Sequence, residues 1–280
     1  MENVTMHSLI FRQFILLVIT VSYLSTSEAK TYALVADGLI DGKANNVLQD
    51  KAVIVTGNQI TAIINIDHIP KDAIKIDLPG TTLMPGMINA HEHPLLYKSD
   101  YQNAHLQASS AYKALLGLKN LQSLLSAGWT TIRVMGDGDV YYANQDIRKV
   151  IDSGVFLGPR LTGAAHYISI TGGGGDVNYF SPEQNVIADG LIADGPDEIR
   201  KAIRKEIKYG SDWIKIMVTG AFMSVGDDPK NVSFSPEELS AAMEEASRHN
   251  VPVAAHAHAT DGINQAIIAG ARSIEHGSYL

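Results

Sequence analysis

His91 and His93, set as His91-Glu92-His93 behind Leu83-Met84-Pro85-Gly86-Met87-Ile88-Asn89-Ala90, are the residues whose type and spacing most clearly fit chemistry. In an extended strand, side chains alternate between faces, so two imidazoles two residues apart point the same way and can grip one metal ion. Imidazole suits zinc and its transition-metal neighbours, and an open coordination position makes such a site catalytic. Taken alone, a His-x-His pair fits a surface pair equally well. Cys is absent from the 280 residues, so thiolate ligands, a catalytic cysteine, disulfides and a lipid-anchored cysteine are all excluded. Any metal must be held by His, carboxylate or a modified side chain.

The elements that position the pair follow from the pattern of the chain. Residues 1–29 read as a signal peptide: Arg12 precedes the apolar run Phe14 to Leu24, and Ser27-Glu28-Ala29 offers small residues at a cleavage site. The run is shorter than the ~20 residues of a spanning helix, so export to the periplasm or exterior is expected, with no stable membrane span once the signal is removed. Residues 30–80 read as a small β domain, incomplete by itself. Its strands are Tyr32–Ala36, Ala52–Val55 and Ile60–Ile64, the last two forming a hairpin around Gly57-Asn58.

From 81 to 280 the rhythm becomes strand, loop, helix. Strands are expected at the run into His91, at Trp129–Met135, Arg160–Ala165, Asp212–Val218, Val251–Ala255 and Arg272–Glu275. Helices are expected over Ala111–Leu125, near Asp146–Ile151, from Pro196 to Gly210, after the capping box Ser235-Pro236-Glu237-Glu238, and from a cap at Asp261 to Gly270. Such alternation implies a parallel sheet, either doubly wound or a (β/α)8 barrel, and the lack of a nucleotide-type glycine fingerprint after the first strand favours the barrel. The hydrophobic content of 45% supplies a sizeable core, and the formal charge of −8 argues against nucleic acid as a partner.

On that frame, His91 and His93 end the first strand, Lys215 lies in the fourth, His256 ends the fifth and His276 the sixth. In a βα barrel all these ends share one rim, where active sites are built. Lys215 shares a face with Trp213 and Met217, while Ile214 and Ile216 face the other way. An ammonium there is costly to bury unless it is paired or neutralised. It fits a lysine reaching a carboxylate, a Schiff-base lysine, or a lysine carboxylated by carbon dioxide whose carbamate oxygens bridge two metal ions. The four histidines on the rim favour the last.

Four segments resemble the metal motifs of the amidohydrolase superfamily: Pro85 to His93, Asp212-Trp213-Ile214-Lys215-Ile216, Ala255-His256-Ala257-His258 and Ile274-Glu275-His276-Gly277. The branch they look most like is the imidazolonepropionase and Xaa-Pro-dipeptidase-like one. The resemblance implies a (β/α)8 barrel with a small N-terminal β-sandwich. It also implies a metal-dependent hydrolase that cleaves carbon–nitrogen bonds of amide, peptide or cyclic-amide type through a metal-bound hydroxide. By the same resemblance, His91 and His93 bind one divalent metal, expected to be zinc, His256 and His276 bind a second, and Lys215 as a carbamate bridges them. His258 shares a face with His256 and is the alternative ligand.

The superfamily also places a catalytic aspartate at the end of strand eight. That residue is expected beyond Leu280, and the chain reads as the N-terminal fragment of a longer protein. In the loop Thr171-Gly172-Gly173-Gly174-Gly175-Asp176, many relatives place a histidine at the third glycine, Gly174. The expected partner is a small-molecule or dipeptide-like substrate, and a homo-oligomer is compatible with the sequence. His166, ending the third strand, is a candidate substrate contact or a satisfied core residue. Arg133 and Asp137 fit structural ion pairs or substrate contacts. His105 reads as solvated, and His249 as a helix-end residue. Two rival functions are an exported metal-binding protein without activity and a mononuclear deaminase of the same superfamily; the strand-four lysine speaks against the deaminase.

Overall fold

The computed structural model describes residues 29–280, so all but the last residue of the expected signal segment lies outside the described residues. The chain divides into two units, with the boundary between Pro85 and Gly86. The sequence reading places this boundary between residues 80 and 81.

In the first unit, β1 (Thr31–Leu39), β2 (Lys51–Thr56), β3 (Gln59–Asn65) and β4 (Ile74–Leu83) form one four-stranded sheet in the order β3-β2-β1-β4. The β2–β3 hairpin turns at Gly57 with φ +61°, which glycine adopts freely. This sheet is one layer of the expected sandwich among the described residues. The sequence pattern misses β4, which carries Pro79. β4 is an edge strand, paired only with β1, so the missing proline N–H leaves no ladder bond unmade. A register shift between Ala36 and Gly38 absorbs the local irregularity.

The second unit carries the parallel series. β5 (Met87–Glu92), β6 (Trp129–Met135) and β7 (Arg160–Ala164) form one sheet. The other sheet has the order β12-β11-β10-β8-β9, with β8 (Tyr167–Ser169), β9 (Leu191–Ile192), β10 (Ile214–Met217), β11 (Val253–Ala257) and β12 (Ser273–His276). Every pairing in both sheets is parallel. The third barrel strand of the sequence reading is therefore β7 and β8 in succession, interrupted at Ala165-His166. Gly163 bridges the interruption: its carbonyl accepts the amides of Asp212 (3.2 Å) and Trp213 (3.4 Å) just ahead of β10.

The helices are α1 (Tyr101–Gln107), α2 (Ser110–Ser126), α3 (Ala143–Asp152), α4 (Gly195–Lys208), α5 (Pro236–Arg248) and α6 (Thr260–Ala269). The capping box of α5 forms as expected. Ser235 Oγ accepts the Glu238 amide at 3.3 Å, and the Glu238 carboxylate accepts the Ser235 amide at 2.8 Å. Asp261, expected as a cap, instead lies in the first turn of α6, whose N-cap is Ala259. The short α1 is not foreseen at all, and it brings His105 inside. That residue is buried, with Nδ1 2.8 Å from the Gly138 carbonyl, rather than solvated.

Strand alternation sorts the core. Ile214 and Ile216 face outward into a cluster with Ile199, Ile203, Leu239 and Ile263 from α4, α5 and α6. Leu121 and Ile147 from α2 and α3 cover Ile132 and Leu161 on β6 and β7 in the same way. Outward residues thus glue helices to strands, and the inward ones are released for the interior. Gly163 tests this architecture. It sits at φ +130°, and a Cβ there would run into the Val134 carbonyl of the neighbouring strand. Gly163→Ala is expected to destabilise by about 3 kcal/mol, read as a fall of roughly 10 °C in Tm. An unchanged melting curve would show that the strand switch does not depend on this backbone.

Candidate metal centre

The first half of the site grows from the end of β5. His91 Nε2 and His93 Nε2 lie 3.1 Å apart, on the common face that alternation demands. Their other ring nitrogens are engaged: His91 Nδ1 lies 2.6 Å from Glu275 Oε2, and His93 Nδ1 lies 2.5 Å from the Gly136 carbonyl. A carbonyl only accepts, so the His93 proton sits on Nδ1 and its Nε2 presents a bare lone pair. The Glu275 carboxylate selects the same tautomer in His91. Two lone pairs then face each other at hydrogen-bond distance, an arrangement relieved by a cation between them. Glu92 points away from its neighbours' rings, accepting the His93 amide and the Asn89 side-chain amide.

The second half comes from β11 and β12. His256 Nε2 is 3.1 Å from the Gly220 carbonyl, so Nε2–H donates and Nδ1 is left free. His256, His258 and His276 each offer a ring nitrogen within 4.8 Å of the others. His276 joins the two halves: its ring centroid is 4.5 Å from that of His256 and 4.8 Å from that of His91. It does so with φ +76°, a left-handed backbone that costs a non-glycine residue roughly 1 kcal/mol or more. Strain of that kind persists where the surroundings demand it, here at the sharp end of the strand before Gly277.

Lys215 lies between the halves on β10, 1% exposed, and lines the same cavity as His93, His256, His258 and His276. Burial lowers its pKa to about 7, with the Glu275 carboxylate opposing and the Arg133 charge assisting. The amine is therefore close to half neutral at neutral pH, as the sequence reading of a neutralised lysine requires. Burial first, and the lysine charge second, lower His93 to about 3 and His276 to about 4, and move His256 and His258 the same way. All four rings are neutral at pH 7, which is the ligand form. Glu275 is the carboxylate that touches a ring of the cluster through His91. Burial pushes its pKa up, but hydrogen bonds from His91 and Ser273 and the charges of Arg133 and Lys215 outweigh that and hold it at about 2.

The cavity encloses about 310 Å³, with mostly apolar walls: Leu96, Tyr101, Tyr167, Met217, Phe222 and Met223. Gly174 is part of the wall. A Cβ there would come within 2.9 Å of Met217 Cε and 3.1 Å of Asp227, so packing occupies the space a larger side chain would need.

The expected residues His91, His93, Lys215, His256 and His276 thus converge, with His258 beside them. His166 does not join them. It is 1% exposed and outside the cavity wall, with Nδ1 2.6 Å from Glu206 on α4 and its ring edge-on to Tyr142 at 4.5 Å. The break between β7 and β8 turns it toward the helix layer, where Nδ1 pairs with Glu206 while Nε2 is buried without a partner among the described residues. Glu275, the carbonyls of Gly136 and Gly220, and the aromatic wall escape the sequence reading. Only Glu275 carries a signal there, because it alternates with the outward-facing Ile274.

A parallel βα series with imidazoles and a buried lysine converging at its strand ends places this chain among βα-barrel proteins with a candidate metal centre. Residues 82–280 match the amidohydrolase family, and the chain belongs to it. Members of that family generally use divalent metals. Among curated relatives, the ochratoxinase of Aspergillus niger is 32% identical over 275 residues, covering 91% of this chain. The chain spans 56% of that relative's length. The crystal structure of A. niger ochratoxinase superposes with a TM-score of 0.79 at 30% identity, over 91% of this chain and 62% of that one. A Xaa-Pro dipeptidase with methionine bound in its active site gives 0.80 at 32%, over 89% and 62%. A prolidase complexed with N-methylphosphonate-L-proline gives 0.81 at 28%, over 90% and 62%. These neighbours establish the TIM-type barrel expected from the sequence.

The depressed histidines set a pH dependence for the metal-free protein. The stability they carry is complete above the ordinary histidine value of 6.5 and is lost as the pH falls through about 4 for His276 and about 3 for His93. His93→Gln removes one of these protonations. Its denaturation midpoint is expected to fall less steeply than that of the wild type between about pH 7 and pH 4.5, measured by urea unfolding in chelator. Parallel slopes would contradict the burial of a neutral His93.

Proposed function

We propose that the protein is a dizinc hydrolase cleaving the carbon–nitrogen bond of small amide or dipeptide-type substrates. The observation that carries this reading is the facing pair of bare imidazole nitrogens on His91 and His93. His93 lines one cavity with His256, His276 and a lysine whose pKa is lowered to about 7, and the His91 ring lies 4.8 Å from that of His276. His91 and His93 would hold one ion through Nε2. His256 through Nδ1, together with His276, would hold the other. His256 is preferred to His258 because its Nε2–H is committed to the Gly220 carbonyl, which fixes the ring. An all-imidazole set suits zinc.

Lys215 would supply the anion that two dications among neutral rings call for. Its neutral amine attacks carbon dioxide, an N–C bond forms, one proton leaves to solvent, and the lysine becomes a carbamate with two oxygens. The metals, when bound, would lower the pKa of a water toward neutrality and polarise the scissile carbonyl. The chain's own contribution is positional. Gly136, Glu275 and Gly220 fix the tautomers, and the apolar wall limits solvent around the reacting bond.

The substrate follows from the wall. Phe222 packs edge-on to His258, with ring centroids 4.6 Å apart, and Met223 lines the same cavity. An apolar or aromatic group beside the scissile amide fits there. The names of the relatives, a Xaa-Pro dipeptidase and an ochratoxinase, support amides of this class. Export of the mature protein is part of the proposal, resting on residues 1–29.

In full-length protein, metal analysis is expected to find about two zinc ions per chain. A ¹³C-bicarbonate-loaded sample should show a carbamate carbon resonance that is lost in Lys215→Arg. Zinc without that resonance would overturn the bridged version, and absence of metal would overturn the hydrolase reading. Phe222→Ala should raise KM about tenfold for dipeptides with an aromatic residue and leave alanyl analogues within about twofold. Equal effects on both would remove Phe222 from substrate selection.

A further inference from the structure

The two halves of the centre lie on different sheets. His91 and His93 belong to β5-β6-β7, while Lys215, His256 and His276 belong to β12-β11-β10-β8-β9. At one flank the halves are joined by the short link from β7 to β8 and by the Gly163 hydrogen bonds to Asp212 and Trp213. Arg133 and Glu275 reach across from one sheet to the other.

We propose that the largely buried Arg133–Glu275 pair is a strut between the two sheets, and that through Glu275 it positions His91 for metal binding. The inference rests on the dimetal reading above for its consequence, though not for its geometry. Arg133 stands on β6 in the first sheet and Glu275 on β12 in the second; their side chains are 16% and 6% exposed. Arg133 Nη2 donates to Glu275 Oε1 at 2.9 Å, and Nε donates to the Ala90 carbonyl of β5 at 2.6 Å. The guanidinium plane is seated over Trp213, 4.6 Å from the ring, at the entry to β10. One side chain thereby touches β5, β12 and the approach to β10.

Each oxygen of Glu275 has a separate task. Oε1 takes Arg133 and, at 2.7 Å, the Ser273 hydroxyl; Oε2 takes His91 Nδ1 at 2.6 Å. Only a carboxylate accepts on both oxygens at once, so a glutamine in its place would have to present an N–H either to His91 or to the side of Arg133 and Ser273. A buried ion pair gives little net stability over an apolar pair of the same volume, because desolvating both charges offsets their attraction. Stability therefore does not account for this pair, whereas the tautomer and orientation of His91 do. Neither residue is a ligand: Arg133 acts through Glu275, and Glu275 through His91.

The test uses full-length protein, first metal-free and then titrated with zinc. Long-range ¹H–¹⁵N spectra of the metal-free wild type should show His91 as the Nδ1–H tautomer. In Glu275→Gln, and in Arg133→Met, which keeps an apolar contact on Trp213, His91 should become a mixture. Calorimetric zinc titration should show one equivalent weakened about 10–100-fold and the other unchanged within about threefold. Arg133→Lys, which keeps the charge but lacks the fork, should fall between Met and wild type. If the variants melt earlier but keep the wild-type tautomer and both affinities, the pair is only structural and the proposal fails. If the wild type binds no zinc, the dimetal reading fails, while the tautomer comparison still decides the strut.

Discussion

Placing an amine and four imidazoles in one cavity with apolar walls is the constraint to which the rest of the barrel responds. Charged, these groups would repel one another and lose their hydration, so the folded state holds the rings neutral and the lysine close to neutral. A neutral imidazole still carries one N–H that needs an acceptor. The structure supplies acceptors from places where regular strand geometry ends. Gly136 offers its carbonyl to His93 with φ +83°, and a side chain there would meet the backbone of His166 and Tyr167. Gly220 does the same for His256 in the loop after β10. Irregular backbone is thus the means by which a fully hydrogen-bonded sheet presents free lone pairs.

The helices take part in this indirectly. Ile214 and Ile216 bury themselves among Ile199, Ile203 and Leu239, and that outward packing leaves Lys215 no direction but inward. The side chain is thereby desolvated by the same contacts that stabilise the strand. Removing the apolar outer face would free the lysine to find water, so core and chemistry share one set of interactions. The interruption at Ala165-His166 shows the converse case. There the strand turns a histidine out of the interior, and Glu206 on α4 takes it up as a hydrogen-bonded core pair.

Periodicity made most of the second unit readable. The βα rhythm, the capping box at Ser235 and the alternation through Lys215 all appear in the structure, because each depends on neighbours within a few residues in the chain. What escaped reading depends on partners far away. β4 is held only by pairing with β1 and carries a Pro-Gly that locally reads as a turn. His105 is buried because a short helix folds it toward Gly138 and Lys113, a contact that no local pattern announces. His166, open in the sequence between a substrate contact and a core residue, takes the side of the helix layer because the third strand breaks beside it.

The sequence by itself determined which groups are available at strand ends. Five ligand-type side chains, no cysteine, and the spacing that puts His91 and His93 on one face follow from residue type and the two-residue repeat of a strand. Tertiary structure decided how those groups are used. It chose which nitrogen of each ring is bare, brought His276 against both His91 and His256, and tied the two sheets through Arg133 and Glu275. Those outcomes rest on contacts between residues far apart in the chain, from the 36 residues between His256 and Gly220 to the 184 between His91 and Glu275. A linear pattern carries no information about such a distance until the barrel has closed it.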